Sequence, residues 1–186
     1  MKTSPPDKEL KIGFIGLDSS HCIEYANLLN DPDNPSHVQG ARAVAAFPGG
    51  SPDWELSYGR VDGFREELEN KWQIRIEASV EAVAESVDAI MILSVDGRKH
   101  LDEFRRVARL GKPVYIDKPL ATTVEEAQEI LEISQETETR FFSTSVWRYT
   151  EAIRSACAHQ TKGGFRHAYV NGQWPLQPGR HGWFWY

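Results

Sequence analysis

Hydrophobic residues along this chain fall into short unbroken runs, separated by longer stretches where they recur every three or four positions. Lys11-Ile12-Gly13-Phe14-Ile15 is the first run and predicts a buried strand over 11–16. Cys22, Ala26 and Leu29 share one face of a helix over 20–30, which Asp31-Pro32-Asp33-Asn34-Pro35 ends. A second strand follows at 43–47, then the turn-rich Pro48-Gly49-Gly50-Ser51-Pro52-Asp53. Val61, Phe64, Leu68 and Trp72 mark a helical stripe, with a short strand at 73–76 and a short helix at 79–86 behind it. Asp88–Ser94 is the most strand-like run of all. Leu101, Phe104 and Ala108 lie on the next helix, which Gly111 and Pro113 stop. Val114-Tyr115-Ile116 predicts a strand, Thr123 with Glu126 a capped helix over 124–136, and Arg140–Ser145 another strand.

Strands that are apolar throughout, alternating with helices, predict a doubly wound α/β domain whose parallel sheet is covered on both faces. Ligands of such sheets bind at the carboxyl ends of the strands. Those ends are Gly16–His21, Phe47–Ser51, Ser94–Gly97, Asp117–Pro119 and Ser145–Arg148. After Lys162-Gly163-Gly164 the pattern changes, and Phe165–Trp174 has strand character of a different kind. The organisation expected is a frayed lead-in over 1–10, a nucleotide-binding domain over 11–148, and a connecting helix with the first strands of a second domain over 149–186.

Composition narrows the classes. The 186 residues are 40% hydrophobic and 26% charged with a net charge of −6, and no Lys/Arg block stands out, which argues against a nucleic-acid partner. The N-terminal MKTSPPDKELK lacks the apolar core of a signal peptide, and no run approaches membrane-spanning length. Cys22 and Cys157 are far apart and read as reduced thiols, so a cytoplasmic location is expected. His159, His167 and His181 form no metal spacing, and no metal site is expected. Eleven of the twenty aromatic residues lie in 141–186, and the chain stops on Trp183-Phe184-Trp185-Tyr186. Such an end reads as a second domain cut short, and self-association through that aromatic stretch is expected.

The chemistry begins at Gly16-Leu17-Asp18-Ser19-Ser20-His21. A dinucleotide-binding turn reads G-x-G-x-x-G, with the second glycine admitting the pyrophosphate. Here Asp18 and His21 hold the second and third glycine positions. A carboxylate about 4 Å from a phosphate oxygen costs roughly 1–4 kcal/mol between water-like and surface-like dielectrics. Either Asp18 turns away to cap the helix, or it weakens dinucleotide binding and Asp18→Gly tightens it. Ser19, Ser20 and His21 remain as donors to a phosphate. Beyond the second strand no carboxylate for a ribose diol appears before Asp53, so Ser51, or an arginine from elsewhere, is the candidate there.

Together the 11–30 unit and "VDAIMILSVDGRKHLDEFRRVARLGKPVYIDKPLATTVEEAQEI" at 87–130 resemble the glucose–fructose oxidoreductase/inositol dehydrogenase (Gfo/Idh/MocA) family. The resemblance implies a Rossmann domain followed by an α/β domain. It also implies hydride transfer between NAD or NADP and a hydroxyl-bearing carbon of a sugar, inositol or related polyol. Asp117-Lys118-Pro119 stands where the family has E-K-P, which makes Lys118 the catalytic candidate, with Asp117 one methylene shorter than the family's glutamate. Ser94, Asp96 and His100 resemble the family's loop after its fourth strand, beside the nicotinamide half. Arg148 stands where the family often has an arginine near the substrate, and His181–Tyr186 resembles the approach to a second catalytic segment. The rival readings are a non-catalytic nucleotide- or ligand-binding module, acting as sensor or subunit, and an inactive truncated remnant.

Overall fold

A computed structural model of the protein describes residues 8–158. The expected strand over Phe165–Trp174 and the aromatic end, with His159, His167 and His181, lie outside the described residues. The chain divides into two compact units, 1–143 and 144–186.

The first unit alternates strand and helix in the predicted order. β1 (Leu10–Ile15), β2 (Ala41–Phe47), β3 (Arg75–Ile76), β4 (Ala89–Ile92), β5 (Val114–Ile116) and β6 (Phe141–Ser143) are joined by α1 (His21–Asn30), α2 (Glu55–Trp72), α3 (Val80–Ser86), α4 (His100–Val107) and α5 (Val124–Thr137). All pairings are parallel, in the order β3-β2-β1-β4-β5-β6. The chain therefore starts in mid-sheet, winds outward to β3, and returns to β4 on the other side of β1. That reversal opens a crevice at the carboxyl ends of β1 and β4, where ligands of such folds settle.

Continuous apolar strands supply two cores, one on each face. On one, Cys22 and Ala26 of α1 and Leu68 of α2 pack with Ile12, Phe14 and Tyr115. On the other, Val80, Val83, Phe104, Val107 and Ile130 of α3, α4 and α5 pack with Ile15, Ile90 and Ile116. Burying each large apolar side chain stabilises the fold by about 1.5–3 kcal/mol.

Element ends follow their capping chemistry. The Thr123 hydroxyl accepts from the Glu126 N–H at 3.1 Å and opens α5 as predicted, while the Glu126 carboxylate reaches back to the N–H and hydroxyl of Thr122. Two predicted strands are shorter than their apolar runs. β4 stops at Ile92 because Ser94, Val95 and Asp96 turn their polar groups to neighbouring loops, and β6 is a three-residue edge.

Of the second unit, the described residues form a 3-10 turn (Val146–Tyr149) and α6 (Glu151–Ala158). The Ser145 hydroxyl caps the turn by accepting from the Trp147 N–H at 3.4 Å. Arg148 lies in this turn and is exposed. Cys22, buried, and Cys157, exposed, are both free thiols. Among the described residues no helix is long and apolar enough to cross a membrane.

Candidate functional site

Gly16 ends β1 with φ +87°, a left-handed conformation that glycine adopts without penalty. Any Cβ built there would lie 2.5 Å from the Ser94 backbone nitrogen, so the first turn backs directly onto the end of β4. This brings Gly16 and Ser94 together at the crevice, as expected.

Asp18 takes neither form of the expected course unaltered. It is completely buried, but it does not cap α1. One carboxylate oxygen accepts from the Val95 N–H at 2.9 Å and the other from the Ser57 hydroxyl at 2.5 Å. Ser57 in turn accepts from the Ser51 N–H at 2.7 Å. One carboxylate thus staples the first turn to the loop after β4 and to the start of α2. This geometry sets a second effect against the expected tightening by Asp18→Gly, since the substitution would also undo the anchorage of these loops. Ser19 is buried, with its hydroxyl accepting from the His21 N–H at 3.3 Å, and only Ser20 is left exposed at the start of α1.

Beyond β2, the buried Ser51 hydroxyl donates to Asp96 at 2.6 Å. Asp96 also binds the Arg98 guanidinium at 2.6 Å, and Arg98 reaches on to Asp53 at 2.9 Å. Burial works to raise the Asp96 pKa, but Arg98 and Ser51 outweigh it and leave the carboxyl below the usual range. Arg98 is therefore shared between two carboxylates, a partnership the sequence did not signal.

Beneath the turn lies Glu103 of α4, only 3% exposed, whose carboxyl accepts from the Ser94 hydroxyl. Burial, only partly opposed by Ser94, pushes its pKa up to about 8. The folded state thus holds a proton that the unfolded chain releases near 4.5, so stability falls as pH rises between those values and levels off at its lower value above 8. Glu103→Gln is expected to flatten that decline, leaving the variant more stable than the unsubstituted chain at pH 9. Urea unfolding at pH 5 and pH 9 checks it. His100, completely buried, is wedged with Nε2 2.8 Å from the Ser94 carbonyl oxygen and Nδ1 2.8 Å from that of Pro119. It ties the loop after β4 to the loop after β5.

At the end of β5, the Asp117 side chain is 4% exposed and gathers a cluster. His21 Nδ1 lies 2.7 Å from Oδ2, Lys118 Nζ lies 3.9 Å from the same oxygen, and the Tyr115 hydroxyl donates to Oδ1 at 2.8 Å. The Tyr25 hydroxyl donates to that of Tyr115 at 3.3 Å. Burial tends to raise the Asp117 pKa, yet His21, Lys118 and Tyr115 hold it below the usual carboxylate range. Burial lowers the Lys118 pKa, against the pull of Asp117, which favours proton exchange at this amine.

Arg60 of α2 completes the surroundings. Its Nε and Nη2 are buried without a hydrogen-bond partner, and its guanidinium lies 5.9 Å from the centre of the Phe64 ring. Burial depresses its pKa against the attraction of Asp18, and its charge is felt at Lys118. Unpaired buried guanidinium nitrogens near the first turn fit an anionic group such as a diphosphate. Arg60 has no local sequence signature, because tertiary contacts such as Ser57 with Asp18, 39 positions earlier, bring the start of α2 to the turn.

A six-stranded parallel sheet, a left-handed glycine turn at its crevice and a lysine at the end of β5 define a Rossmann-type dinucleotide-binding domain. Residues 60–145 match the family described as "Oxidoreductase family, NAD-binding Rossmann fold". Over that stretch the sequence is similar to the Gfo/Idh/MocA oxidoreductases. Solved structures agree on the fold. A dehydrogenase (MviM) from Clostridium difficile is 25% identical over 83% of this chain and 45% of its own, with a TM-score of 0.62. Myo-inositol 2-dehydrogenase from Lactobacillus plantarum is 22% identical over 80% of this chain and 40% of its own, also at 0.62. Scyllo-inositol dehydrogenase from Lactobacillus casei, solved with NAD(H) and scyllo-inositol, is 19% identical over 80% and 40%, again at 0.62. The chain thus spans about two fifths of the length of these structures. No curated protein matches it.

Proposed function

We propose that this chain is the nucleotide-binding part of an NAD(P)-dependent oxidoreductase that moves hydride between nicotinamide and a hydroxyl-bearing carbon of a sugar, inositol or related polyol. The observation that carries this reading is Lys118, partly buried at the carboxyl end of β5 and paired with Asp117, beside a Rossmann crevice, with two buried guanidinium nitrogens of Arg60 lacking hydrogen-bond partners. When bound, the nicotinamide supplies the carbon that exchanges hydride. The chain's own residues do the rest.

Arg60, Ser20 and the first turn of α1 would hold the diphosphate. Ser51 and Asp53 would face the adenine-side ribose. Arg98 is held there between two carboxylates, so the locus carries a net negative charge and favours a ribose diol over a 2′-phosphate. NAD is therefore the preferred cofactor. Lys118 would hydrogen-bond the reacting oxygen and help move its proton, with Asp117 keeping the amine in place. Ser94 and His100 would act by fixing the loops that frame this end of the crevice.

Incubating the chain with NAD+ and a panel of inositols and sugar alcohols, while following NADH absorbance, tests the reading. Substrate-dependent NADH formation supports it. The second reading, a binding module without catalysis, is favoured by His21 in the third glycine position. Saturable NADH binding without turnover on any polyol would support it instead.

A further inference from the structure

We propose that His21 is the second proton-handling group of this site, its Nε2 taking the proton of the substrate hydroxyl while Asp117 anchors its Nδ1. This rests on the dehydrogenase reading above. It places within this chain an acid–base role otherwise left to residues beyond the Rossmann unit.

The third position of a dinucleotide turn asks for glycine, because the helix must pack closely on the strand there. A histidine is not needed to make that turn. Here its ring is directed to the end of β5, where Nδ1 meets Asp117 Oδ2 at 2.7 Å. The carboxylate cannot easily swing away, since its other oxygen accepts from the Tyr115 hydroxyl at 2.8 Å and its side chain is 4% exposed. A carboxylate fixed at Nδ1 selects the Nδ1–H tautomer and leaves Nε2 as the bare, basic nitrogen.

The His21 side chain is 33% exposed and that of Lys118 is 32% exposed, and both lie against the same carboxylate oxygen. A base and an ammonium therefore stand side by side at the end of one strand. The other ionisable groups facing the pair are Tyr25, edge-on to the His21 ring at 6.2 Å, Tyr115, and Arg60 through its charge at Lys118.

In the oxidation direction, the substrate O–H bond breaks and its proton bonds to His21 Nε2. The oxygen's electron pair forms the C=O bond. The hydrogen on that carbon leaves with its electron pair to the oxidised nicotinamide dinucleotide, which is reduced. Lys118 stays an ammonium and stabilises the developing negative charge on the oxygen. Asp117 stays ionised and balances the imidazolium.

The test uses the full chain with 15N-labelled histidine. Long-range 1H–15N spectra at pH 8 are expected to show the His21 Nδ1–H pattern. Asp117→Asn is expected to abolish it in favour of the Nε2–H form that free imidazole side chains prefer. An Nε2–H form in the unsubstituted chain would overturn the proposal. In NADH formation from a polyol, His21→Ala is expected to lose about 10²–10⁴-fold in rate, with partial recovery on adding imidazole. An undiminished rate, with the variant's thermal unfolding unchanged, would also overturn it. A chain that binds NADH but forms none from any polyol would refute the dehydrogenase reading and the catalytic assignment together. The tautomer pattern would then still report whether the Asp117–His21 pair exists.

Discussion

Asp18→Ala is expected to destabilise the folded chain by about 3–5 kcal/mol. Two charge-assisted hydrogen bonds disappear at once, and each loss leaves a group without its partner. The Val95 N–H and the Ser57 hydroxyl both sit in buried surroundings that a methyl group cannot satisfy. Three loops then lose their common anchor, those after β1, β2 and β4. The effect should read as a lower urea midpoint with an unchanged slope. Asp18→Asn, which keeps a carbonyl acceptor, should fall between the two. A loss within about 0.5 kcal/mol for the alanine variant, the range of an ordinary surface substitution, would mean that the carboxylate staples nothing.

Lys118→Met is expected to lower the rate of NADH formation by about 10²–10³-fold, the usual worth of a donor aimed at the oxygen where charge develops. Methionine keeps most of the side-chain length and removes the ammonium. With the lysine side chain 32% exposed, the unfolding midpoint should hardly move. Lys118→Arg should not restore the rate in full, because the longer, planar guanidinium cannot place its charge where the compact ammonium stands. A methionine variant with a wild-type rate would shift the chemistry away from the end of β5.

The architecture was legible in the sequence for a clear physical reason. Runs such as Gly13–Ile15 and Ile90–Ile92 are apolar on both sides, and only a parallel sheet with helices on both faces buries such strands. The turn at Gly16 and the lysine after β5 could likewise be located, because each closes a strand at the ligand-binding edge. What could not be read was how polar groups pair across the crevice. Asp18 looked like an obstacle to phosphate because its nearest sequence neighbours are the turn itself. Its partners lie on α2 and on the loop after β4, and neither has a local signature. Arg98 could not be seen as a bridge between Asp96 and Asp53, nor Glu103 as a buried acid, because α4 alone looks like an ordinary charged helix. His21 and Asp117 each depart from the family pattern 96 positions apart, and the sheet order brings them together.

The central claim, that this crevice binds a nicotinamide dinucleotide, is tested most directly by calorimetric titration of the chain with NADH. The account predicts one saturable site. Arg60→Met should weaken it about tenfold by removing a charged anion contact worth roughly 1.4 kcal/mol, and NADPH should bind more weakly than NADH. A folded chain that gives no saturable heat with either dinucleotide, up to millimolar concentration, would contradict it.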